Sequence, residues 1–106
     1  MPVSIDKVAD DVRIALDLPP GYCVVVDYAT DTLIVAHGAE DEVREAMKTG
    51  ATKYSDGSPL WGFALTRSLI DDNLHIAQAK EVFPRLVRIV TNTDYVKSVN
   101  DIGRLP

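Results

Sequence analysis

Tyr22-Cys23-Val24-Val25-Val26-Asp27-Tyr28 and Thr32-Leu33-Ile34-Val35-Ala36-His37 stand one short link apart in this 106-residue chain. Both runs are rich in β-branched and aromatic residues, the composition of strands. The link Ala29-Thr30-Asp31 cannot hold a crossover helix, so the two strands form an antiparallel hairpin. In the first strand apolar residues occupy both faces except at Asp27, which predicts cover on both sides.

Working outward, residues 4–17 place Ile5, Val8, Ala9, Val12, Ala15 and Leu16 at helical spacing behind Ser4 as N-cap, and Pro19-Pro20-Gly21 stops the helix. Downstream, Gly38 leads into a helix from Glu40 to Thr49, with acids in its first turn, Lys48 in its last and Gly50 after it. Ala51 to Pro59 has loop chemistry, and residues 60–66 alternate as a strand with Trp61, Phe63 and Leu65 on one face. A helix from Asp72 to Phe83 ended by Pro84, a strand from Leu86 to Thr91, and a final helix capped by Thr93 or Asp94 and closed by Gly103 complete the reading.

Those elements predict one compact domain over residues 1–106 of the α/β (mixed α+β) class. It is a small mixed sheet of about four strands with an N-terminal β-hairpin and three to four helices packed on it. A helix of crossover length precedes each of the last two strands, so the second, third and fourth strands are expected to be mutually parallel with right-handed connections. Ligands of such sheets gather at the strand carboxyl ends. Here those ends are His37-Gly38, Thr66-Arg67-Ser68 and Thr91-Asn92-Thr93-Asp94.

Charge narrows the function. The net charge is −5, and it is unevenly spread. Residues 1–50 hold ten acids against four bases, net −6, and residues 51–106 hold six against seven, net +1. Such a surface repels phosphate and lacks the cations that supply nonspecific nucleic-acid affinity, so direct nucleic-acid binding is not expected. Neither a dinucleotide fingerprint nor a P-loop occurs. No apolar run approaches the about 20 residues of a membrane span, and Asp6 and Asp10 sit where a signal peptide carries basic and apolar residues, so the expected location is cytoplasmic. Cys23 is the only cysteine, which excludes an intrachain disulfide and a thiolate zinc cluster and reads as an inert core thiol.

Catalytic patterns are weak. Ser55 or Ser68 could be joined on paper with His37 or His75 and an aspartate, but without a nucleophile-elbow motif. Asp27 with Asp72 or Asp94 makes no diagnostic ligand set for a divalent metal. No metal or other cofactor is expected, and the reading leans away from an enzyme. Leu86 to Val96, preceded by a helix, resembles the fourth strand and following helix of a ribonuclease H-like domain. That resemblance implies metal-binding carboxylates at Asp27, near Ile76 and at Asn92; only Asp27 supplies one, so no nuclease is expected from it.

Two functions of different class follow. The first is a small acidic protein-interaction module, an inhibitor or immunity-type protein of bacterial or phage kind, that binds a basic surface on a protein partner such as a nuclease or defence complex. Its contact residues would be Asp6, Asp10, Asp17, Glu40, Asp41, Glu45, Tyr54 and Asp56. The alternative is a small-molecule-binding domain or small enzyme at the strand ends, using His37, Arg67, Asp72, Asn92 and Asp94, with Tyr54 and Trp61 closing the site. Homo-oligomerisation through an exposed sheet edge, or through Tyr54, Trp61 and Phe63, is a third reading.

Overall fold

A computed structural model describes residues 4–49 and 61–91. Its elements are α1 (Ile5–Leu16), β1 (Tyr22–Asp27), β2 (Thr32–His37), α2 (Glu40–Thr49), β3 (Gly62–Leu65), α3 (Arg67–Asp71) and α4 (His75–Thr91). Ile5, Val8, Ala9, Val12 and Leu16 form the inward stripe of α1. Ser4 is its N-cap, without a side-chain capping bond, and Asp17 closes it in the left-handed region at φ 48°. The hairpin register pairs Tyr22 with His37 and Asp27 with Thr32, and Asp31 turns the chain with φ 57°.

Among the described residues the sheet has three strands in the order β1-β2-β3, all antiparallel. Val24, Val26, Leu33, Val35, Phe63 and Leu65 face α1 and α4 in the larger core. Cys23, Val25 and Ala36 face Val43 of α2 on the other side, with Ile34 and Met47 packed against them. β1 is thus covered on both faces, as its doubly apolar sequence requires. Gly38, at φ 136°, donates its N–H to Gly21 O at 2.8 Å and ties the exit of the hairpin to its entrance.

The structure corrects three expectations. First, β3 runs antiparallel to β2, pairing Leu65 with Leu33 and Gly62 with Ala36. The chain between β2 and β3 is long enough to return to either end of β2, and the right-handed crossover rule governs connections only once two strands are parallel. The mixed sheet is therefore a plain antiparallel one, and its strand carboxyl ends do not gather on one side. Second, Leu86 to Thr91 is no strand but the second half of α4, which continues through Pro84. Ala79, Val82, Phe83, Leu86 and Ile89 are buried at helical spacing, and that burial outweighs the β-branched composition of the segment. The resemblance to the ribonuclease H-like fourth strand falls with it.

Third, the helix expected from Asp72 to Phe83 is preceded by a separate short helix. Thr66 caps the short helix α3 by accepting from the Leu69 N–H at 3.4 Å, and Asn73, at φ 58°, separates α3 from α4. The helix expected to start at Asp72 therefore starts at His75. The irregular segment at 51–59 and the final helix expected from Thr93 or Asp94 lie outside the described residues. No helix among the described residues is long and apolar enough to cross a membrane.

Candidate functional site

The amide of His37 donates to Trp61 O, which points the odd-numbered residues of β2 toward β3 and the even-numbered ones toward β1. Cys23, Val25 and Asp27 consequently bond β2, and the peptide groups of Tyr22, Val24 and Val26 point outward along an edge of β1 that no other strand among the described residues pairs with. Arg13 reaches this edge from α1. Its guanidinium donates to Val24 O at 2.7 Å and to Asp10 Oδ1 at 2.7 Å, and lies 3.8 Å from Glu40 Oε1 at the start of α2. Glu40 is also 3.9 Å from Arg44. Asp10 and Glu40 come from helices on opposite faces of the sheet, and they meet around one arginine at its rim.

The same rim is closed at its far end by Tyr28, whose hydroxyl donates to Asp6 Oδ1 at 2.5 Å. That hydrogen bond, then desolvation, raises the pKa of the exposed phenol above its ordinary value. On α1, helical spacing puts Asp6, Asp10, Arg13 and Asp17 on the flank turned toward β1, while Lys7 and Ile14 point directly away from the core. Lys7 bonds Asp11 at 2.9 Å, which raises the lysine's pKa chiefly through that bond and then through the Asp11 charge. Ile14 is 78% exposed, the most exposed large apolar residue among those described. Asp41 and Glu45 are exposed on α2, and Asp41 Oδ1 accepts the Glu42 N–H at 3.0 Å. Of the eight expected contact residues, Asp6, Asp10 and Asp17 lie along α1 and Glu40 meets Asp10 at Arg13, while Asp41 and Glu45 are exposed on α2, across the sheet from α1; Tyr54 and Asp56 lie outside the described residues.

Among the described residues of the alternative ligand site, His37 and Arg67 are not brought together. His37 sits at the end of the sheet near Gly21 and Tyr22, its ring packed edge-on to Tyr22 at 5.2 Å, and Tyr22 packs the same way on Phe83 at 5.2 Å. Burial raises the Tyr22 phenol. Arg67 follows Leu65, which pairs with Leu33, so the two ends are separated by about 13 Å of strand at about 3.3 Å per residue. There Arg67 is paired with Asp71 at 2.9 Å and Asp31 at 3.2 Å. Asp72 is the exposed C-cap of α3. Asn92 and Asp94 lie outside the described residues. Trp61 is buried in the core beside Phe63.

Comparison of the chain with protein-family models, curated proteins and solved structures found no match. The site therefore stands on its own geometry. Among the described residues no group of three histidine, cysteine or acidic side chains could hold a metal ion. Cys23 is buried, and desolvation followed by the Glu40 charge pushes its thiol up to about 11, the opposite of a reactive cysteine. His75, a candidate triad member, is buried at the start of α4 with an Nδ1 that has no partner.

Arg13 and Tyr28 are the residues that sequence reading missed. Arg13 looked like one more charge on a solvated helix face. The signal for it was its place on the wheel, on the same flank as Asp6, Asp10 and Asp17 but nearer the buried stripe than Asp10, where a long side chain reaches across to the neighbouring strand.

Proposed function

We propose that this chain is a small acidic protein-interaction module of the inhibitor or immunity type, bacterial or phage in kind and cytoplasmic. It docks on a basic surface of a protein partner through the face made by α1, the rim of β1 and the start of α2. The observation that carries this reading is the meeting of Asp10 and Glu40 at Arg13, which joins the carboxylates of two helices into one surface. Asp6, Asp10, Asp17 and Glu40 supply that surface beside Arg13 and Arg44, and Asp41 and Glu45 continue it onto the outer side of α2.

Ion pairs at such exposed positions contribute only about 0.2–1 kcal/mol each to folding. Their carboxylates stay in solvent, where complementary charge accelerates encounter and sets orientation over a screening length of about 8–10 Å. Ile14, set among Asp10, Asp11 and Asp17 on the outer side of α1, offers an apolar contact inside an acidic border, the arrangement in which one buried residue carries a large share of binding.

The test is enrichment of a partner on the tagged protein at low and high salt, beside a variant carrying Asp17→Lys, Asp41→Lys and Glu45→Lys. These substitutions spare the carboxylates that hold Arg13 and Tyr28. A stoichiometric basic partner that is lost as salt rises and absent from the variant is the expected result. A partner held equally by the variant would rule out this face.

A further inference from the structure

β1 is the edge of the sheet most exposed to mispairing by its sequence. Tyr22 to Val26 is an uncharged run of aromatic, cysteine and valine residues with no proline, the composition that pairs readily with copies of itself. Its outward peptide groups at Tyr22, Val24 and Val26 are also self-complementary. A second copy turned about a twofold axis through Val24 would set Val24 opposite Val24 and Tyr22 opposite Val26, continuing the antiparallel ladder across two chains. The other edge, β3, has only four residues, and three of them are buried. A short edge is already a poor template.

Two of these outward groups are occupied instead. Pro19 O takes the Tyr22 N–H at 3.3 Å, and the Arg13 guanidinium takes Val24 O at 2.7 Å, the centre of the twofold register. Arg13 cannot swing aside without giving up Asp10 on the α1 side and Glu40 on the α2 side. Tyr28, bonded to Asp6, stands just past the end of the strand.

We propose that Arg13 is a strap across the free edge of β1, anchored on both faces of the sheet, that keeps β1 from pairing with β1 of a second copy. The proposal does not depend on the acidic face having a partner. It assigns a charged residue the work that a lysine, proline or bulge does on other edges.

The test compares the parent chain with Arg13→Met, which keeps the apolar stem and removes the guanidinium. Sedimentation is measured over a concentration series, with residue-resolved amide exchange alongside. Loss of a charged hydrogen bond to Val24 O should strengthen self-association at least about tenfold, and the N–H groups of Val24 and Val26 should gain protection as concentration rises. Asp10→Asn keeps a side-chain oxygen that can accept from Arg13 and leaves Glu40 in place, so the guanidinium stays on Val24 O and this variant should behave as the parent. Parent-like self-association of Arg13→Met would overturn the proposal, as would association without new protection at those two amides, or equal association of Asp10→Asn. If Arg13→Met does not fold, Arg13→Lys keeps the charge but loses the two-sided span, and the same two readouts decide.

Discussion

Gly62 opens β3 opposite Ala36, and its backbone lies close against β2. A Cβ built there meets Val35 O at 2.6 Å and both Cα and Cβ of Ala36 at 3.1 Å. Ordinary contact begins at 3.4 Å, so Gly62→Ala must part the two strands by about 0.8 Å at that point. The obstructing atoms are backbone or are fixed to it, and no flexible side chain can move out of the way. Beside them, the His37 N–H donates to Trp61 O at 2.9 Å, and that bond lengthens with the displacement. Overpacking costs about 1–3 kcal/mol, and a weakened backbone hydrogen bond adds about 1 kcal/mol. Alanine's narrower unfolded ensemble returns about 0.4–1 kcal/mol. The net loss is about 2 kcal/mol, a fall in Tm of about 8–16 °C for a domain near this size. Circular dichroism melts and urea titration measure it. Gly21→Ala is the control: its Cβ has room, 3.9 Å from the His37 ring, and only its φ of +90° is strained, so it should lose about 1–2 kcal/mol without disturbing the β2–β3 ladder. A Gly62→Ala protein that melts at or above the parent temperature refutes the reasoning.

Two further outcomes follow from the fold. Pro84→Ala restores an N–H facing Lys80 O inside α4 and should raise the urea midpoint, worth about 1–3 kcal/mol; a lower midpoint would mean that Leu86 and Ile89 need the proline's backbone to reach the core. Cys23 should react with a thiol reagent at pH 8 about 100-fold more slowly in the folded protein than in urea, because its thiol titrates near 11 when folded against an ordinary 9.0. Since the unfolded chain releases this proton first, stability is unaffected below pH 9 and falls as pH rises from 9 toward 11. Cys23→Ala should flatten that part of the profile, and an unchanged slope would remove Cys23 as its cause.

Local pattern carried much of this fold. The hairpin, α1 and α2 are governed by short-range periodicity, turn residues and caps, and their boundaries fall within a residue or so of those expected. Strand direction was not legible, because nothing in residues 38–61 encodes which end of β2 the chain returns to. The second half of α4 was misread for a different reason. Leu86-Val87-Arg88-Ile89-Val90-Thr91 is β-branched enough to be a strand, and Pro84 resembles a stop, yet packing against α1 and the sheet selects the helix. At the candidate face the acids were visible as charge, while the convergence of Asp10 and Glu40 on Arg13 was not. It depends on α1 and α2 flanking the same edge from opposite faces.

The packing of α1 against α4 also sets an order on biosynthesis. At about 5–20 residues per second, on the order of 3–12 s separates the emergence of β1 from that of Leu86 and Ile89. Through that interval the hairpin can form, but Val24, Val26, Leu33 and Val35 have only α1 to cover them. The nascent chain therefore carries a half-clad apolar sheet until its last described helix leaves the ribosome, and a pause in that window lengthens the time that face stays open to solvent.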